Sequence, residues 1–144
     1  MYSKILVALE NDTADNSLLP HITQLAKLHK SKLLLIHVAD GWVARNYDVF
    51  QLAESEEMKE DRAYLDKVSN QLQSEGLEVQ AQLALGNPPE EILRIAEEEQ
   101  CDLIAMTSHG HRFFADLFFG STIEEVRHRT DIPLLIVKMG SSKI

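Results

Sequence analysis

Four stretches of the chain are almost continuously apolar: ILVAL at 5–9, LLLIHV at 33–38, CDLIAM at 101–106 and IPLLIV at 132–137. Short aliphatic runs without polar alternation suit strands covered on both faces, as in a parallel sheet. A fifth run, LEVQAQL at 77–83, alternates apolar and polar and reads as a half-covered strand. Between the runs the period becomes helical. Leu18, Ile22, Leu25, Ala26 and His29 share one face, with Asp15 or Asn16 placed to cap it. Met58, Leu65, Val68 and Leu72 recur through a charged stretch that stops at Gly76. Pro88-Pro89-Glu90-Glu91 opens a third helix, since proline and acids both suit a helix N-terminus, and Ile92, Ile95 and Ala96 give it an apolar face. Ser121 or Thr122, followed by Glu124 and Glu125, reads as the start of a fourth.

The order is βαβαβαβαβ, which predicts an α/β fold: an open, doubly wound, five-stranded parallel sheet between two helical layers, Rossmann-like in outline. Such sheets take ligands outside the carboxyl ends of their strands, at the point where strand order reverses. Here those ends are residues 9–11, 38–40, 85–87 and 106–110. Residues 40–50, DGWVARNYDVF, fit no period. Their Trp42, Tyr47 and Phe50 either cover the crevice or pack under a connecting loop.

At 144 residues the chain is expected to form a single domain. Its 44% hydrophobic and 26% charged residues are ordinary for a globular protein. The net charge of −9 argues against a nucleic-acid partner, which needs a positive face to displace counterions. A local basic pocket for a small anion is compatible with it. The lone Cys101 excludes an internal disulfide and fits a reducing compartment. The apolar start ends at Glu10 and Asp12, too short for a signal or a membrane span, so a cytoplasmic protein without membrane contact is expected.

The densest chemistry lies in TSHGHRFFADLFFGST, residues 107–122. A turn that brings backbone N–H groups against a phosphate needs residues without Cβ. Gly110 supplies one just after a strand, and Gly120-Ser121-Thr122 supplies another at an expected helix start. Ser121 and Thr122 add hydroxyls, while His111 and Arg112 offset charge. An ordinary strand-to-helix loop would carry the same glycines, so spacing alone leaves both readings open.

The same stretch resembles the nucleotide signature of the universal stress protein family, Gly-x2-Gly-x9-Gly-Ser/Thr between a strand and a helix. Here it runs Thr107-Ser108-His109-Gly110, nine residues, then Gly120-Ser121. KILVALEND, LLLIHV, GNPPEEILRIAEEEQCDLIAM and VRHRTDIPLLIV match in order, so the resemblance spans essentially the whole chain. It implies an adenine nucleotide alpha hydrolase-like fold and a dimeric regulatory protein that binds ATP or AMP, with Mg²⁺ as a companion of ATP. It further implies that Glu10 contacts ribose, that the Val38 backbone meets adenine, and that Ala8 and Leu9 line the base side. Met106, Thr107 and Gly110 would approach ribose and phosphates, and Gly120, Ser121 and Thr122 would hold the phosphates. Three positions depart from the pattern: Thr107 and Phe113 stand for glycines, and Glu10 for aspartate.

Rival readings are weaker. His109 and His111, with Asp116 or His128, would give an incomplete metal set without a second paired spacing. No nucleophile elbow, zinc-protease or Walker motif is present, so dedicated catalysis is not expected. Phe113, Phe114, Leu117, Phe118 and Phe119 support the alternative of a nucleotide-free module that docks an unidentified protein. The last run, Ile132 to Val137, would need cover at a sheet edge, and the resemblance implies a homodimer there. Pro133 is tolerated at an edge.

Overall fold

A computed structural model of the chain describes residues 1–39, 56–108 and 116–140, with side chains described from 122 onward in the last segment. The elements alternate as expected: β1 (Lys4–Ala8), α1 (Asp15–His29), β2 (Lys32–Ala39), α2 (Glu56–Ser74), β3 (Glu78–Leu85), α3 (Pro88–Glu98), β4 (Leu103–Ser108), α4 (Asp116–Arg129) and β5 (Leu134–Lys138). All pairings among them are parallel, in the order β3-β2-β1-β4-β5. Chain order therefore reverses between β1 and β4, which pair Ile5 with Leu103 and Val7 with Ala105.

Alternation along the three inner strands divides the core. Ile5, Val7, Leu33, Leu35, Leu103 and Ala105 face a layer made by Leu18, Ile22 and Ala26 of α1 and Leu65, Val68 and Leu72 of α2. Leu6, Ala8, Leu34, Ile36, Ile104 and Met106 face Ile92, Ile95 and Ala96 of α3 and Val126 of α4. Both faces of each inner strand are dry, which is why their sequences carry no polar alternation. The outer strands are more exposed: β3 alternates, and in β5 Ile136 keeps 38% of its surface.

Helix ends follow local chemistry. Gly76 (φ 90°) closes α2, with the Leu77 N–H donating to the Leu72 carbonyl. Asn87 caps α3 by accepting from the Glu90 N–H, and Pro88 occupies the first helical position. Two expected starts need correction. In α1 the first helical residue is Asp15 and the capping position is Ala14; the oxygen expected of a cap comes instead from Asp12, which accepts from the Ala14 N–H. The fourth helix begins at Asp116, so Gly120, Ser121 and Thr122 lie within α4 rather than at its entry. Glu124 and Glu125 looked like first-turn acids, but they are the partners of Arg127, His128 and Arg129 one turn later. The segment with Trp42, Tyr47 and Phe50 lies outside the described residues.

Candidate functional site

Two concavities compete. The larger, about 470 Å³, is an open groove between α1 and α2, walled by Leu19, Thr23, Lys27, Gln71 and Glu75. The smaller, about 60 Å³, is a crevice at the carboxyl ends of β1, β2 and β4. Chemistry selects the smaller, which sits at the reversal of strand order and joins apolar walls to a few polar groups.

The crevice is lined by Ala8, Leu9, Glu10, Val38, Met106, Thr107 and Thr122, each singled out from the sequence. Its remaining walls are Ile36, His37, Pro88 and Ile92, which sequence reasoning missed. Pro88 and Ile92 were read as helix start and apolar face; they also close the crevice because α3 lies over the ends of β1 and β2. Gly110, His111 and Arg112 lie outside the described residues, as does His109. Gly120 and Ser121 lie on the first turns of α4. His128, at the far end of that helix, pairs with Glu124 on its exposed face.

Thr107, where the sequence pattern has glycine, is 2% exposed, and its Oγ1 has no hydrogen-bond partner among the described residues. Alternation along β4 places its side chain on the face of Leu103 and Ala105, toward α1. The substitution is accommodated because the added side chain turns away from the wall formed by Ala8, Ile36 and Met106.

Beneath the crevice lies a polar network of which the periodicities mark a single member. Asp15 is fully buried. Its carboxylate accepts from the backbone N–H groups of Glu10 and Asn11, both at 2.9 Å, and from the Tyr64 hydroxyl at 2.7 Å. Asn11 adopts φ 59°, a left-handed conformation that asparagine tolerates. Its amide donates to Asp61 at 2.8 Å. The other Asp61 oxygen lies 3.4 Å from His37 Nε2, and His37 Nδ1 donates to the Leu9 carbonyl at 2.7 Å. One signal could have exposed it: Met58, Asp61, Leu65, Val68 and Leu72 follow a strict three-four spacing, and Asp61 is the charged member of an apolar stripe.

These acids repel one another. Burial, then the charges of Asp12 and Asp15, push the Glu10 carboxyl up to about 8. Burial also raises Asp15, against the lowering effect of its three donors. Burial pushes the Cys101 thiol up to about 11, the behaviour of an inert core residue. At neutral pH Glu10 is thus largely a protonated acid, able to donate as well as accept at the crevice mouth.

Comparison with known proteins gives the family and the fold. The profile of the universal stress protein family covers residues 1–138. A universal stress protein of Methanocaldococcus jannaschii is 27% identical, with 99% of this chain and 98% of that protein aligned. A Bacillus subtilis member, YxiE, is 27% identical over 96% of this chain and its own full length. Among solved structures, the M. jannaschii protein MJ0577 superimposes with a TM-score of 0.78 at 29% identity, covering 99% of both chains. An Archaeoglobus fulgidus universal stress protein in complex with dAMP gives 0.70 at 20%, covering 95% of this chain and 98% of that one. With its profile match, its strand order and its crevice in agreement, the chain belongs to the universal stress protein family.

Proposed function

We propose that this protein, a single domain over residues 1–144, is a regulatory module that binds an adenine nucleotide, ATP or AMP, in the crevice between β1 and β4. It changes conformation or partner with ligand state. The observation that carries this reading is the crevice itself: apolar walls from Ala8, Ile36 and Met106, with the Glu10 carboxyl at the mouth. The base lies between Ala8 and Val38, whose backbone reads its edge. Glu10 meets the ribose hydroxyls, and the phosphates extend over Met106 and Thr107 toward Gly110, Gly120, Ser121 and Thr122. His111 and Arg112 offset phosphate charge, and Mg²⁺ enters only with ATP. The relative of the same fold that holds dAMP supports an adenine ligand. A largely protonated Glu10 supports it too, because a neutral acid does not repel an anionic ligand.

The module works without dedicated catalysis, as a cytoplasmic homodimer joined through residues 132–137. The edge position of β5 and the exposure of Ile136 support that surface. Calorimetry with ATP, ADP and AMP, with and without Mg²⁺, tests the nucleotide reading. Saturable heat with at least one nucleotide is expected. Absence of both heat and thermal shift at millimolar nucleotide overturns it and leaves the alternative, a nucleotide-free member working through protein contacts, which the apolar run Phe113, Phe114, Leu117, Phe118 and Phe119 favours.

A further inference from the structure

The buried network beneath the crevice ties one turn to two helices. A fully buried carboxylate is expensive unless hydrogen bonds meet its lone pairs. Asp15 meets that need with two consecutive backbone N–H groups, those of Glu10 and Asn11, in the turn that delivers Glu10 to the crevice. Tyr64 reaches from α2 to hold the Asp15 oxygen that receives the Asn11 N–H. A second tie from α2, Asp61 to the Asn11 side chain, secures the left-handed residue from its other side.

We propose that Asp15 and Tyr64 are positioning residues: the carboxylate, steadied by the tyrosine hydroxyl, fixes the Glu10–Asn11 turn and so sets where the Glu10 carboxyl meets a ligand. This rests on the adenine-nucleotide reading for the ligand's identity, but the positioning has its own observable. Asp15 also acts on Glu10 through charge. Facing Glu10 and its turn are Asp12 on the same loop, Asp15 on α1, His37 on β2, and Asp61 and Tyr64 on α2. Removing the Asp15 charge therefore lowers the pH at which Glu10 gives up its proton.

The test uses wild type, Asp15→Asn and Tyr64→Phe, with two measurements. One is a carbon-13 carboxyl titration of Glu10 in ligand-free protein; the other is AMP affinity by calorimetry. Asp15→Asn is expected to lower the Glu10 midpoint by about half a pH unit or more and weaken AMP about tenfold. Tyr64→Phe keeps the charge, so it weakens AMP about threefold with a smaller midpoint change. Losing the Asp15 charge lowers the Glu10 midpoint whether or not Asp15 fixes the turn, so positioning is read from Tyr64→Phe, where a purely structural role would move melting temperature and leave AMP affinity and the Glu10 midpoint in place. Unchanged midpoint and unchanged affinity in folded Tyr64→Phe overturn the proposal. If Asp15→Asn does not fold, Tyr64→Phe decides: weakened AMP upholds the proposal and wild-type affinity overturns it. If wild type takes up no AMP, the nucleotide reading falls and the Glu10 midpoint of Tyr64→Phe, which keeps the Asp15 charge, alone decides: moved, the positioning stands; unmoved, it fails.

Discussion

The protonation of Glu10 makes stability depend on pH in an unusual direction. Its carboxyl titrates near 8 in the folded protein and near its ordinary value of 4.5 once unfolded. Between those limits the folded state holds a proton that the unfolded chain has released, so raising the pH favours unfolding. The contribution is fully present below about 4.5 and is lost as pH rises through about 8. One proton gives a slope of at most about 1.4 kcal/mol per pH unit. Integrated between the two values, roughly 3.5 kcal/mol should be lost between about pH 5 and about pH 8. Glu10→Gln preserves the shape of the neutral acid and removes the titration. The variant should match wild type near pH 5 and exceed it by about 3.5 kcal/mol near pH 8, in urea unfolding followed by circular dichroism. Asp15 is raised in the same direction, but it is present in both proteins and largely cancels in the comparison. Curves that stay parallel within about 0.3 kcal/mol across that range would refute the reasoning.

Thr107→Val replaces a buried hydroxyl that has no partner among the described residues by a methyl of the same shape. It should raise stability by about 1 kcal/mol and the melting temperature by about 3 °C in calorimetric scans. Asn87→Ala removes the oxygen that caps α3 and should cost about 1 kcal/mol in urea unfolding. Ile136→Arg places charge on the β5 edge, where 38% exposure leaves room for it. Light scattering should then report a monomer with an unchanged circular dichroism spectrum.

Sheet and layers were legible in the sequence because covering a strand on both faces removes polar residues from it. The runs around Ile5, Leu33 and Leu103 carry that mark directly, and the alternation at 77–83 marks the exposed β3 edge. The crevice was half legible, since Glu10, Val38 and Met106 follow from strand ends and the order of elements, while Ala8 came only with the family resemblance. Where α4 begins was not legible: glycine and serine mark a helix start only when no earlier residue can begin the turn, and Asp116 does so. Nor was the Asp15–Tyr64–Asn11–Asp61–His37 network. Those residues lie up to 53 positions apart, on a loop, a strand and two helices, and each alone reads as an ordinary polar position. Which apolar residues leave water was written along the chain, because their burial follows from side-chain polarity and period. Which polar groups meet inside, Asp15 and Asp61 among them, emerged with the packing of the elements, because a hydrogen bond is specified by distance and direction between elements, and neither is encoded in any single one of them.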